Sequence, residues 1–378
     1  MRVETYAGQP QFDEFLELLK KAQRPMVVAG GGGWTRQAVA NLQLFSETFS
    51  LPVAASFRCQ DLFDNTHPNY AGDLGLAAGP KLIQHMKDCD LLISIGARLG
   101  EMTTGAYTLI DIPVPKQTLV HIHAGAEELG RVYHATLPIN ATVGGFLSQA
   151  IDLRPKAPVK WKEWTKVAHA DYLGNIKHSQ VPGSVQMGDI MEWLRSHLKP
   201  DAIITTGAGN YSAWAHRFYQ YRTFRTQLGP TNGSMGYGVP AAIAAKIVEP
   251  SRTVIAFSGD GCFLMNGQEL ATAMQYDARV IFLVINNGMY GTIRMHQERN
   301  YPGRVSGTRL TNPDFASMAR SFGLHGETVT QTEDFAGAFV RCEASGKPGL
   351  IEIRIDPEAL TPKMTLSQIR EQAISQGK

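Results

Sequence analysis

The stretch TVIAFSGDGC (residues 253–262), followed after one helical pattern by VIFLVINNG (residues 280–288), decides the fold of this chain. Each is a short apolar run that stops in small polar residues. Runs of that length, bounded by Gly, Asp and Asn, predict buried strands, here over 253–257 and 280–285, with a helix over 267–275 between them. Strands joined by such a crossover are parallel and end on the same edge of the sheet, and ligands of open α/β sheets bind at that carboxyl edge. Asp260 and Asn287, distant in the chain, are therefore expected to converge.

Outward from this centre the alternation continues. Residues 202–206 and 349–355 read as strands, and 237–248 and 312–322 as helices. Nearer the N-terminus, strands are expected over 25–29, 52–55, 91–95 and 119–123, with a helix over 35–49 after the run Gly30, Gly31, Gly32, Gly33. Strands alternating with helices imply α/β architecture with helices on both faces of a parallel sheet. The expectation is two doubly wound parallel-sheet domains, over 1–151 and 185–356. The stretch 152–184, with Pro155, Pro158, Trp161 and Trp164, reads as a linker carrying one amphipathic helix, and 357–378 as a polar tail with one short helix.

Bulk properties narrow the function classes. The 36 Lys and Arg nearly balance the 34 Asp and Glu, so neither nucleic acid nor an acidic membrane surface is called for as a partner. Cys59, Cys89, Cys262 and Cys342 stand singly, without zinc-ligand or disulfide spacing, which fits a reducing cytoplasm. The longest apolar runs are strand-sized, well short of the roughly 20 residues of a membrane helix.

Asp260 and Asn287 suit a hard cation. Mg²⁺ prefers six oxygens in an octahedron, takes one or two carboxylates, and leaves the rest to water and phosphate. Asp260 offers a carboxylate, Asn287 an amide oxygen, and Met289 a backbone carbonyl just beyond. Gly259, Gly261 and Gly291 let backbone amides approach phosphate closely, and a helix beginning after Gly261 adds its positive end. Either motif alone is usually a turn. The pair, each closing a buried strand and separated by one helix, is what carries the reading.

This pairing of Gly-Asp-Gly with Asn-Asn some two dozen residues on resembles the signature of thiamine-diphosphate-dependent enzymes, most closely the acetolactate synthase-like group of 2-oxo acid decarboxylases and carboligases. The resemblance covers almost the whole chain: residues 1–150 are similar to that family's central domain and 185–355 to its diphosphate-binding domain. It implies thiamine diphosphate and Mg²⁺ as cofactors, with Asp260, Asn287 and the Met289 carbonyl as metal ligands. It implies diphosphate contacts at Gly209, Asn210, Tyr211, Gly261, Cys262, Tyr290, Gly291 and Thr292. It also implies that the Gly233 carbonyl accepts from the aminopyrimidine and that Met235 wedges beneath the bent cofactor. The family's pyrimidine-binding domain, whose glutamate activates the cofactor, is not recognised in these residues. The resemblance therefore implies a homo- or hetero-oligomer completed by a separate pyrimidine-binding chain and acting on a 2-oxo acid. A non-catalytic cofactor-binding module or truncated remnant is the alternative, and a fragment of a longer enzyme would carry these same residues.

Other signals are weaker. The four-glycine run lacks Gly-x-Gly-x-x-Gly spacing and a following acidic residue, which argues against a dinucleotide site. His123 and Gly125 stand where flavin-binding members of the group tend to carry aspartates, so FAD is not expected. His121 and His123 share a strand face but have no third metal ligand nearby. His296, nine residues past Asn287, stands where acetolactate synthases carry a tryptophan and is a candidate proton-transfer group or substrate contact, with a solvated surface histidine as the plainer reading. Arg294, Arg299 and Arg304 are candidates for a substrate carboxylate, with a solvated loop as the plainer reading.

Overall fold

The structure, a computed structural model, describes residues 3–76 and 78–377. The chain forms two compact units, Met1–Lys177 with Gln220–Arg225, and His178–Tyr219 with Thr226–Lys378.

The first unit is built on six parallel strands: β1 (Pro25–Ala29), β2 (Val53–Ala55), β3 (Tyr70–Asp73), β4 (Leu91–Ile95), β5 (Thr118–Ile122) and β6 (Leu137–Ile139), in the order β3-β2-β1-β4-β5-β6. Every residue of β1 is buried because both faces are covered. Val27 and Ala29 point into a layer with Phe15, Phe45 and Phe146, while Met26 and Val28 point into another with Met86, Leu92 and Leu119. That is the period-two alternation of a strand packed on both sides. Sequence reading missed β3, whose residues YAGD carry no apolar run, and β6, where Pro138 sits on an edge strand and gives up no ladder bond.

The linker expected over 152–184 is corrected by the packing. Its helix, Lys162–Asn175, belongs to the first unit. Trp161 Nε1 donates to Phe49 O at 2.9 Å, Trp164 Nε1 to Pro25 O at 2.9 Å, and Thr165 Oγ1 to Ser50 O at 2.6 Å. The segment Gln220–Arg225 belongs here too, through paired bonds between Tyr221 and Asn65 at 2.8 and 2.9 Å.

The glycine run after β1 serves close approach between loops. A Cβ on Gly30 would stand 1.9 Å from Ser56 Oγ, and one on Gly31, whose φ is +71°, would stand 2.0 Å from Gly96 O. Trp34 Nε1 closes over the same place by donating to Gly30 O at 2.8 Å.

In the second unit six parallel strands, β7 (Ile203–Thr206), β8 (Gln227–Leu228), β9 (Val254–Gly259), β10 (Ile281–Asn286), β11 (His325–Val329) and β12 (Gly349–Arg354), take the order β11-β12-β10-β9-β7-β8. Phe263, Phe282 and Phe315 centre the core on one face. Strand order reverses at β7, which has β8 on one side and β9 on the other. Such a reversal opens a crevice at the carboxyl edge. Ile285 is in register with Gly259, so the ends of β9 and β10 are flush.

Residues 357–377 carry the short helix expected of the tail, and it packs on the second unit. Thr365 caps the helix Leu366–Ser375 through a capping box, and Leu366 and Ile369 pack with Met295 and Leu360.

Candidate cofactor-binding site

The site grows from the flush ends of β9 and β10. Asp260 follows β9 directly and opens a single-turn helix, Asp260–Phe263, so the helix starts at the aspartate itself and not after Gly261. Only 3% of Asp260 is exposed. Its Oδ1 accepts from Gly261 N at 2.8 Å, and its Oδ2 accepts from Gly288 N at 2.9 Å and from Asn312 Nδ2 at 2.8 Å. Burial pushes this carboxyl upward from its ordinary value, and the donated bonds oppose that shift. Among the described residues no Lys, Arg or His pairs with it.

Asn287 leaves the end of β10 with its Oδ1 accepting from Met289 N at 3.2 Å. The following turn is pinned by a short antiparallel bridge: Leu310 N donates to Gly288 O and Tyr290 N to Thr308 O, each at 2.9 Å. Gly288 has φ +69°, which only glycine holds without strain. A Cβ on Gly261 would stand 2.5 Å from the Tyr290 ring, and one on Gly291 2.8 Å from Leu360.

The loop after β7 supplies the opposite wall. Asn210 N donates to Thr292 Oγ1 at 2.9 Å, and that hydroxyl donates back to Asn210 Oδ1 at 3.0 Å. The Tyr211 hydroxyl accepts from Gly207 N and donates to Cys262 Sγ, both at 3.0 Å, and Gly236 N donates to the same sulfur at 3.1 Å. The Tyr211 ring lies against glycines: a Cβ on Gly209 or Gly259 would stand 2.7 or 2.6 Å from it. Gly259 is thus a glycine to admit this ring, a reason the sequence did not reveal.

Gly209, Asn210, Tyr211, Met235, Gly261, Cys262, Tyr290, Gly291 and Thr292 line one cleft together with Asp260, Asn287 and Met289. Trp214, Ile293, Ile355 and Leu360 add apolar wall to it. Gly233 is not part of this lining. It stands on an exposed turn with φ +74°, where Ser234 Oγ donates to Asn232 Oδ1 at 2.7 Å.

Residues 207–353 match the family model for the thiamine pyrophosphate enzyme C-terminal TPP binding domain, and residues 12–150 match that for the thiamine pyrophosphate enzyme central domain. The chain belongs to the thiamine pyrophosphate enzyme family. It is similar to the acetolactate synthase large subunit of Corynebacterium glutamicum, 29% identical over 366 residues that cover 92% of this chain and 57% of the relative. The acetolactate synthase isozyme 2 large subunit of Escherichia coli is 28% identical over 351 residues, 92% of this chain and 62% of the relative. The probable acetolactate synthase large subunit of Methanocaldococcus jannaschii is 30% identical over 367 residues, 94% of this chain and 61% of the relative. The chain thus spans little more than half the length of these curated relatives.

Within the family frame several expected residues fall elsewhere. His296 is exposed on the helix Gly291–Asn300 and does not line the cleft. Arg294 and Arg299 lie on that helix, not in a solvated loop. Arg294 is buried against Glu298, and Arg304 rests over the Tyr301 ring at 5.8 Å. His121 is buried with Nε2 2.9 Å from Ala97 O, and its ring centre lies 6.1 Å from that of His123. Among the described residues no three His, Cys, Asp or Glu gather as a metal cluster, so a cation in the cleft would rely on one carboxylate and neutral oxygens.

Besides the apolar wall residues, two polar residues behind the site escaped sequence reading. Asn312 bonds both Asp260 and Asn286, and Glu352, fully buried in β12, accepts from Asn286 Nδ2 at 2.7 Å. Glu352 left a signal, a lone acid inside the apolar run GLIEIRI (residues 349–355). Asn312 left none beyond a turn sequence before Pro313.

Proposed function

We propose that the chain binds thiamine diphosphate through Mg²⁺ in this cleft and serves an enzyme that decarboxylates or ligates 2-oxo acids. The observation that carries the reading is Asp260: a buried carboxylate at the carboxyl edge of the sheet, raised by burial and without a cationic side chain beside it. Isolated charges are rarely left buried, and a bound cation supplies the missing counter-charge. The donor set fits Mg²⁺, since Asp260, Asn287 Oδ1 and the Met289 carbonyl are all hard oxygens and phosphate or water completes an octahedron.

In this reading Gly209, Asn210, Gly261, Cys262, Tyr290, Gly291 and Thr292 seat the diphosphate, and Tyr211 packs beneath it. Met235 supports the bent cofactor, and Gly233 O takes the aminopyrimidine's amino group. Once bound, the cofactor would supply a thiazolium carbon that is nucleophilic after deprotonation and an electron sink for loss of CO₂ from a 2-oxo acid. The chain's own part is to bind, to bend and to exclude water. The pyrimidine end calls for a further domain, reached through a companion chain or a longer one.

The test is titration calorimetry of thiamine diphosphate into the protein with and without Mg²⁺, repeated on Asp260→Ala. We expect Mg²⁺-dependent binding in the parent and loss of that dependence in the variant. Equal affinity with and without the metal in both proteins refutes the assignment.

A further inference from the structure

Asp260 does not stand alone: Asn312, Asn286, Glu352 and Arg354 form a continuous chain of hydrogen bonds behind it. Asn312 Nδ2 donates to Asp260 Oδ2 and to Asn286 Oδ1, both at 2.8 Å. Asn286 Nδ2 donates to Glu352 Oε1 at 2.7 Å. Glu352, with no exposed surface, is gripped by Arg354 Nε at 3.0 Å and Nη2 at 3.1 Å, and accepts from Thr328 Oγ1 at 3.1 Å. The orientation of the Asn312 amide follows from this arrangement, because the reverse would set its carbonyl oxygen against two acceptors.

The consequence falls on the two oxygens of Asp260. Oδ2 takes bonds from Asn312 and from Gly288 N, whereas Oδ1 takes that of the neighbouring Gly261 N, and the Met289 amide also donates to this carboxylate. We propose that Asn312, held by Asn286 and Glu352, is a positioning residue that makes Asp260 present a single oxygen to its cation and so selects Mg²⁺ over Ca²⁺. The inference rests on the Mg²⁺ site proposed above. Its physical basis is the difference between the ions. Mg²⁺ demands a compact octahedron of single oxygens near 2.1 Å, whereas Ca²⁺ takes six to eight oxygens and accepts bidentate carboxylates. A carboxylate with one oxygen tied back cannot offer both. Without Asn312, Oδ2 is held back by the Gly288 amide alone, so the carboxylate is tied less firmly to one presentation and turns more readily to offer both oxygens.

The experiment measures Mg²⁺ and Ca²⁺ dissociation constants of the full chain at saturating thiamine diphosphate, for the parent and for Asn312→Ala, with melting of the metal-free proteins as a folding control. Loss of a residue that orients a metal ligand typically weakens binding about 10- to 100-fold. We expect a fall of that size for Mg²⁺ and none for Ca²⁺, so that the preference for Mg²⁺ shrinks by the same factor. A purely structural role would weaken both ions alike, and that outcome, or an unchanged ratio, overturns the proposal. Should Asn312→Ala not fold, the near-isosteric Asn312→Leu carries the test: it removes the donor without adding a charge beside Asp260, and its ratio must likewise move toward Ca²⁺. A parent that binds neither ion refutes the Mg²⁺ site itself, an outcome distinct from a parent that binds both and a variant that changes nothing.

Discussion

Gly31 and Gly32 are chain neighbours and should answer oppositely to the same substitution. Gly31 has φ +71°, and a Cβ there would sit 2.0 Å from the Gly96 carbonyl, whereas a Cβ on Gly32 meets nothing within 4 Å. Gly31→Ala combines left-handed strain with a backbone collision and is expected to cost the protein at least about 2 kcal/mol. Gly32→Ala is expected to stay within about 0.5 kcal/mol of the parent. Urea unfolding of the two variants measures both, and equal effects would contradict the packing role given to this run. In the cleft, Gly261→Ala would drive a methyl group into the Tyr290 ring at 2.5 Å. That substitution should weaken thiamine diphosphate binding, read by calorimetry, while the fold persists, because Tyr290 is only half-buried and can swing away.

Among the elements, the helix Leu366–Ser375 is held to the helix Gly291–Asn300 by one buried acid. Arg370 reaches Glu298 with Nε at 2.8 Å and Nη2 at 2.7 Å, Arg294 pairs with it from within the same helix, and Gly303 N donates to it at 2.8 Å. The Arg370 bond, foremost among these causes, brings the Glu298 carboxyl down from its ordinary 4.5 to about 2. A depressed acid stabilises the folded chain while it stays ionised in both states. That contribution is complete above about pH 4.5 and drains away as the pH falls toward about 2. Arg370→Ala should therefore lower stability by about 2 kcal/mol at neutral pH, less than a fully buried pair because Arg370 is 35% exposed. The gap between variant and parent should narrow as the solution is acidified through that window. Urea midpoints at pH 7 and pH 3 check this, and a gap that widens on acidification contradicts it.

For the molecule as a whole, the decisive question is what completes the cleft. The turn bearing Gly233 is exposed and Met235 is half-buried, so the surface assigned to the aminopyrimidine stands open on this chain's side. Leu264 and Met265, just past the Asp260 turn, and Ile293 at the cleft wall leave 39%, 46% and 51% of their surfaces exposed. On the proposed reading, a partner that completes the cleft would cover these side chains. We expect the purified chain, saturated with Mg²⁺ and thiamine diphosphate, to show no turnover of pyruvate or benzoylformate. Addition in trans of a pyrimidine-binding domain with a matching surface should produce it. The reason is chemical: loss of the proton from the reactive carbon needs a carboxylate at the pyrimidine ring, and an open face lets water weaken the electrostatics of the site. Steady-state assays with and without that domain decide the matter, and robust turnover by the chain alone would show that a residue within it does this work.

The sequence by itself determined the class of fold, the direction of the strands and the meeting of Asp260 with Asn287. Those follow from local quantities: the length of an apolar run, the residues that stop it, and the handedness of a crossover. Asp260, Asn287 and Met289 were legible from the strand ends, whereas Gly209, Asn210, Tyr211, Gly261, Cys262, Tyr290, Gly291 and Thr292 were reached through the family resemblance, and all of them line the cleft. Only the tertiary structure decided what depends on pairs distant in the chain. Trp161 and Trp164 bond carbonyls more than 100 residues away, which places their helix in the first unit and not in a linker. Tyr211 gives Gly259 its reason, Glu298 claims Arg370, and Asn312 reaches Asp260 across 52 positions. His296 lies five residues past Gly291 and still faces solvent, because a helix turns about 100° per residue and the buried stripe takes Arg294, Met295 and Glu298 instead. Spacing along a chain reports where a strand stops, whereas the partner of a buried polar group is fixed by three-dimensional packing and leaves no periodic trace.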